Sequence, residues 1–229
     1  MYARVERREQ IRHALPLTAH HNPHPRKHHI TMTTIAVLEN GRVGGNLATA
    51  LTRAGLEVTV ADRTPGAAAD AARTAQIVIN ATPGAGSLGR LAALREELHD
   101  KILVDVSNAT LDGPDGLPTD LLYPGSSLAE QLQDALPETR VVKTLNTMLF
   151  PVMTAPATLT QTPTAFLSGE DPQAKQTVRE LLTHLGWHKD WITDLGGIQT
   201  ARATEAAILF VPHVIRSTGF TPFAISIAR

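Results

Sequence analysis

The segment Glu39-Asn40-Gly41-Arg42-Val43-Gly44 has the clearest capacity for chemistry in this 229-residue chain. It follows the apolar run Ile35-Ala36-Val37-Leu38. It opens a stretch in which Val43, Leu47, Ala50, Leu51 and Ala54 fall near helical spacing before Gly55. A strand that turns through G-x-G-x-x-G into a helix lets the backbone approach a pyrophosphate, whose charge is attracted by the free N–H groups and the helix dipole. The second and third glycines are present, as Gly41 and Gly44; the first position holds Glu39. A Cβ restricts that tight turn and a carboxylate opposes phosphate, with Arg42 placed to offset the charge. Two readings follow: a dinucleotide cradle, or a structural glycine turn over an empty pocket. An acid 21 residues beyond Gly41, Asp62, favours the cradle.

Asp62 and its neighbour Arg63 point to different nucleotides. A carboxylate at the end of the second strand accepts hydrogen bonds from an adenosine ribose, as NAD offers. A guanidinium pairs with the 2′-phosphate of NADP. Either residue could equally be a solvated turn residue. Three later strand ends carry small or amide side chains suited to lining a trough: Asn80-Ala81-Thr82-Pro83-Gly84, Ser107-Asn108-Ala109 and Thr144-Leu145-Asn146-Thr147. The candidate cofactor-binding set is therefore Asn40, Gly41, Arg42, Val43, Gly44, Asp62, Arg63, Ala81, Thr82, Pro83, Asn108 and Asn146. No catalytic residue and no metal ligand is assigned. His99 and His184 lie late in helices, where a His partners the dipole, and His213 is the one His to watch. Lys143 reads as structural, and Arg202 and Glu205, three apart on one helix face, as a pair.

The elements that must position these residues alternate strand and helix. Strands are expected at 35–38, 57–61, 76–80, 101–106, 140–143, 164–167 and around Trp191-Ile192. Helices are expected at 44–54, 67–73, 87–98, 127–136, 172–185 with Asp171 as cap, and 198–211. Residues 107–119, with Gly113, Pro114, Gly116 and Pro118, read as a loop. Short buried runs between helices predict an α/β fold, a Rossmann-type doubly wound parallel sheet with a small C-terminal extension. The expected organisation is a tail over 1–32, a dinucleotide-binding domain over 33–150, and a C-terminal part over 151–229 that completes the site.

Composition narrows the function classes. With no Cys, a disulfide framework, a thiolate metal site and a Cys nucleophile are excluded. Hydrophobic content of 42% and charged content of 19% suit a soluble globule, and a net charge of -1 gives no sign of a nucleic-acid partner. No apolar run approaches a membrane helix, and a cytoplasmic location is expected. Residues 1–32 hold six Lys/Arg against two acids and six of the ten His. They read as a disordered, exposed tail rather than a His-rich metal site, with Met32 as the natural start.

Val141-Val142-Lys143-Thr144-Leu145-Asn146-Thr147 resembles the "VVKAFNT" segment of dinucleotide-binding proteins related to NADPH:coenzyme F-420 oxidoreductases. Ser127-Leu128-Ala129-Glu130, Phe166-Leu167-Ser168-Gly169-Glu170-Asp171, Ala201-Arg202-Ala203-Thr204-Glu205 and the final Pro222 to Arg229 agree with it, so the resemblance runs from Thr33 to Arg229. It implies NADP(H) as one partner. Hydride would pass to a small-molecule redox substrate, with the deazaflavin coenzyme F-420 as the family's example. Such a transfer needs stacking and distance control more than an acid or base. The assembly is left open, a homodimer included. A non-catalytic dinucleotide sensor is the rival that Glu39 suggests. An imine or hydroxy-acid reductase would need a long helical domain, and only 82 residues follow Thr147.

Overall fold

A computed structural model describes residues 33–228; the expected tail, its His-rich tract and the Met32 start lie outside them. In chain order the elements begin β1 (Thr34–Leu38), α1 (Arg42–Arg53), β2 (Glu57–Ala61), α2 (Ala67–Thr74), β3 (Ile77–Asn80), α3 (Gly84–Ala92), α4 (Arg95–Leu98) and β4 (Ile102–Asp105). There follow β5 (Thr110–Asp112), β6 (Pro118–Leu121), α5 (Leu128–Ala135), β7 (Arg140–Lys143), α6 (Phe150–Thr154), β8 (Ala165–Leu167), α7 (Pro172–His184), β9 (Ile192–Asp194), α8 (Ala201–Ala206) and α9 (Val211–Thr218).

Five strands form a parallel sheet in the order β2-β1-β3-β4-β7. The chain leaves β1 for β2 on one side and returns to β3 on the other. The crevice outside the carboxyl ends of β1 and β3 is thus the topological switch point of the sheet, where ligands of such folds sit. β3 and β4 are buried throughout, whereas edge strand β2 is largely exposed. This is why Glu57-Val58-Thr59-Val60 can mix polar and apolar residues.

Side-chain alternation divides the core. Ile35, Val37, Ile77, Ile79, Val104 and Val142 face α1, α6 and α7, where Leu47, Leu51, Val152, Val178 and Leu182 meet them. Ala36, Leu38, Val78, Leu103 and Val141 face the other layer, built on Ala71, Ala72, Leu91, Leu128, Leu132 and Ala201. Full burial of such Leu and Ile side chains contributes about 1.5–3 kcal/mol each. Asp171 caps α7 as expected, its Oδ1 accepting from Gln173 N at 2.7 Å and Ala174 N at 2.9 Å, with Pro172 in the first turn.

Several sequence expectations change. Residues 107–119 are not all loop: β5 and β6 pair antiparallel, and Gly113 to Gly116 make their turn. The glycines and prolines mark a hairpin whose strands are too short to show a period. The helix expected at 87–98 starts at Gly84 and breaks before α4, because Gly84, Gly86 and Gly89 conceal its first turns. The last helix is four pieces: α8 lies between 3₁₀ turns at Ile198–Thr200 and Ala207–Phe210, and α9 then runs to Thr218. Pro212 lacks an N–H and so suits a first turn rather than a helix interior.

After β7 the chain reaches β8 and β9, a parallel pair linked to the main sheet through a Lys143–Ser168 bridge. Residues 223–225 return antiparallel to 147–149: Leu149 N donates to Phe223 O, and Ile225 N to Thr147 O. The final segment thereby lies beside the carboxyl end of β7.

Candidate functional site

The turn after β1 is built for close approach. A Cβ added at Gly44 would come within 1.9 Å of Glu39 O, so α1 can start this near β1 only with glycine there. A Cβ at Gly84 would come within 2.0 Å of Asn108 O, which makes the same case for α3 against the end of β4. Gly41 differs, because the nearest atom to its added Cβ would be Glu39 Oε1 at 3.7 Å. The protein has room for a side chain at Gly41, and leaving it out keeps the backbone open to a ligand. Gly41 is the N-cap of α1 and no side chain caps the helix, so its first N–H groups are left for an anion. A dinucleotide pyrophosphate fits this cradle.

Glu39 is the exception. Its φ is +78°, the conformation that the first glycine of the turn would adopt without strain. Its N–H donates to Ala61 O at 3.0 Å. Its carboxylate pairs with Arg63, Nη2 to Oε1 at 2.9 Å. The expectation that Arg42 would offset this charge is therefore corrected. Arg63 reaches it because β2 lies beside β1 in register, with Ala61 opposite Leu38. Asp62 accepts from Thr64 N at 2.8 Å, and that hydrogen bonding holds its carboxyl below the ordinary range.

The expected residues divide among three adjoining hollows along the sheet edge. One of about 410 Å³ is lined by Gly41, Arg42, Val43, Ala81, Thr82, Pro83 and Asn108. A second, of about 540 Å³, joins Asn40 and Gly41 to Asp62 and Arg63. A third, of about 590 Å³, runs from Asp62 and Arg63 to Thr82 and Pro83. Glu39 borders all three. Gly44 is buried beneath the turn. Asn146 is buried too, its Nδ2 donating to Asn108 Oδ1 at 3.0 Å while Asn108 Nδ2 donates to Asn146 O at 2.9 Å. The reciprocal pair locks the ends of β4 and β7 together.

Sequence reasoning missed three components. The far wall of the first hollow is apolar, made by Leu117, Met148, Leu149, Phe150, Met153, Val211, Ile215 and Phe220. α6 is held there by Asn46, whose Nδ2 donates to Phe150 O at 2.8 Å, and by Trp187, whose Nε1 donates to Met153 O at 3.0 Å. Arg90 borders the third hollow together with Arg63, anchored by Nη2 to Pro83 O at 2.6 Å. Neither feature stands in a recognisable spacing, because each is completed by residues distant in the chain.

The third component is a buried polar network beneath the strand ends. Asn80 Nδ2 donates to Ser87 Oγ at 2.7 Å and to Asp105 Oδ1 at 2.8 Å, while Thr82 Oγ1 donates to Asn80 Oδ1 at 2.7 Å. Lys143 Nζ lies 2.8 Å from both Asp105 Oδ2 and Glu205 Oε1, and it donates to Ser107 O. Glu205 in turn accepts from Leu128 N at 2.9 Å and Ala129 N at 3.2 Å, at the start of α5. Burial alone would lower the Lys143 ammonium, but Asp105 and Glu205 together hold it above its ordinary value. The expected Arg202–Glu205 pair is thus corrected. Glu205 points inward to Lys143, and Arg202 points outward to Glu130.

Comparison with known proteins agrees with this geometry. No model of a known protein family matches the chain. Over 138 residues it is 28% identical to the F-420-dependent NADP reductase of Methanocaldococcus jannaschii; the match spans 60% of this chain and about 60% of the length of that curated relative. A hypothetical protein of known structure from Sinorhizobium meliloti is 28% identical, with a TM-score of 0.56, over 74% of this chain and 88% of that one. A solved structure from Arthrobacter sp. FB24, provisionally described as an F-420-dependent NADP reductase, superposes with a TM-score of 0.78. It is 38% identical, over 85% of this chain and 99% of that one. Identity at that level across nearly the whole relative shows that the chain belongs to the family of F-420-dependent NADP reductases.

Proposed function

We propose that the protein is an NADP(H)-dependent oxidoreductase that moves hydride directly between NADP(H) and a second small-molecule redox partner, a deazaflavin such as coenzyme F-420 or another flat acceptor. The observation that carries this reading is the hollow of about 410 Å³ that joins the glycine turn to an apolar wall. Among the described residues, its only titratable lining residues are Glu39 and Arg42, both at the turn. Nothing along the wall donates or accepts a proton, which suits an acceptor whose conjugated ring takes hydride without an acid from the protein.

The N-terminal amides of α1 and Gly41 would hold the pyrophosphate, Asp62 the adenosine ribose, and Arg63 the 2′-phosphate. Pro83 and Arg90 would flank the adenine side. When bound, NADP(H) supplies the hydride. Thr82, Ser107 and Asn108 form the floor on which its reactive end would rest. Ser107 Oγ donates to Thr82 O at 2.7 Å, so that floor is fixed before any ligand arrives. Met148, Phe150, Ile215 and Phe220 would cover the reacting rings and exclude water.

Stopped-flow absorbance at the reduced-nicotinamide band tests this, with coenzyme F-420, FMN and simple quinones as acceptors. Acceptor-dependent oxidation of NADPH is the expected result. Tight NADPH binding with no oxidation by any acceptor would overturn the enzymatic reading and leave a binding protein. Oxidation by a flavin or quinone alone would retain the oxidoreductase and discard the deazaflavin.

A further inference from the structure

We infer that Glu39 is a built-in competitor of the cofactor 2′-phosphate for Arg63, and that it thereby sets how strongly the protein prefers NADPH to NADH. The inference rests on the dinucleotide reading above and goes beyond it, because it assigns selectivity to a residue of the turn rather than to the end of β2.

Glu39 cannot easily move away. Its backbone is fixed on both sides, with its N–H on Ala61 O at 3.0 Å and its carbonyl filling the space beneath Gly44. Its φ of +78° is one that a glutamate rarely adopts, so the surrounding structure imposes it. The side chain is consequently aimed across Gly41 toward the end of β2. Its carboxylate is the sheltered member of the ion pair: Glu39 is 18% exposed and Arg63 86%. Among the described residues, Glu39 is the only anion that pairs with Arg63, and Asp62 next to it is turned to Thr64.

The two nucleotides meet this arrangement differently. NADH and NADPH share a pyrophosphate, so repulsion from Glu39 at Gly41 falls on both alike. Only NADPH carries a phosphate that needs Arg63. To engage it, Arg63 must divide its charge between two anions or give up Glu39, whose only contact with it is through Nη2, and either way the carboxylate faces a further dianion. The penalty is selective for NADPH.

The test uses the full chain, with NADPH and NADH titrated into the wild type, E39Q, R63A and the double variant. Nucleotide fluorescence gives Kd, and thermal shift supplies an independent reading. E39Q keeps the Cβ and the turn strain and removes only the charge. The expected result is NADPH binding tightened about fivefold, the worth of a partly exposed ion pair. NADH should tighten by less than about twofold, from the repulsion at the pyrophosphate alone. In the R63A background the competition is gone and only the repulsion between the carboxylate and the 2′-phosphate remains, so the NADPH gain should fall well below about fivefold. E39G, which also relieves the strain, should show the same selectivity. Equal tightening of both nucleotides by E39Q, or weaker NADPH binding, would overturn the inference, the latter by showing that Glu39 orients Arg63 for the phosphate. No binding of either nucleotide to any of the four proteins would overturn the dinucleotide reading itself.

Discussion

Replacing Lys143 by Met removes the one cation of the buried network and retains most of its volume. Lys143, Asp105 and Glu205 have side chains 1%, 0% and 4% exposed, so no solvent screens what is left. Asp105 keeps Asn80 Nδ2 and Ser107 N on Oδ1, but Oδ2 loses its partner. Glu205 keeps the two amides of α5 and loses its countercharge. Removing one member of a buried pair costs about 3–5 kcal/mol, a large share of a total stability of about 5–15 kcal/mol. With a urea m-value of about 2 kcal/mol/M, the midpoint of unfolding should fall by about 1.5–2.5 M. The comparison with Lys143→Arg, which keeps the cation, separates lost charge from lost packing. Urea melts supply the measurement. A loss under about 1 kcal/mol for the Met variant would refute the account of Lys143 as the counterion of two buried carboxylates.

In the wild type the same network gives an alkaline signature. The Lys143 pKa is raised in the folded state, so its contribution is complete below the ordinary lysine value of 10.5 and is lost as pH rises through the folded value; melts should show a decline confined to that alkaline range. Gly41→Ala should leave stability within about 1 kcal/mol, since its Cβ meets nothing closer than 3.7 Å, yet weaken NADPH binding measured by fluorescence. Gly44→Ala drives a Cβ to 1.9 Å from Glu39 O and should cost about 1–3 kcal/mol in a urea melt as well as nucleotide affinity. Asp171→Ala should lower stability by about 1 kcal/mol through loss of the α7 cap, with nucleotide affinity unchanged.

What the sequence discloses here is local. The order of β1, its glycine turn, α1 and β2 is legible because every signal lies within one βαβ unit: an apolar run, Gly41 and Gly44, and an acid after the second run. The lining role of Thr82, Pro83 and Asn108 follows from the rule that parallel strands present their carboxyl ends to a ligand. The concealed parts depend on distant partners. Glu205 looks like the neighbour of Arg202 until the sheet brings Lys143 beside it. Arg63 looks like a free cation until β2 aligns with β1 and places it on Glu39. The apolar wall is split among Leu117, residues 148–153 and residues 211–220, the two longer pieces each too short for a period and each interrupted by proline. The positive φ of Leu145, at the end of β7, has no local mark at all, because leucine does not announce such a conformation.

The Lys143–Glu205 pair also imposes an order in time on a chain made from one end. Glu205 follows the amides it caps at Leu128 by 77 residues. At a synthesis rate of about 5–20 residues per second, the start of α5 waits roughly 4–15 s for it and the Lys143 ammonium roughly 3–12 s. Until then Lys143 has Asp105 alone as its countercharge, and the amides of Leu128 and Ala129 lack their acceptor. The glycine turn and the Ser107–Thr82 contact can form early, but the network beneath them is complete only when α8 has emerged. The buried network that underlies the strand ends is thus among the last parts of the fold to be completed.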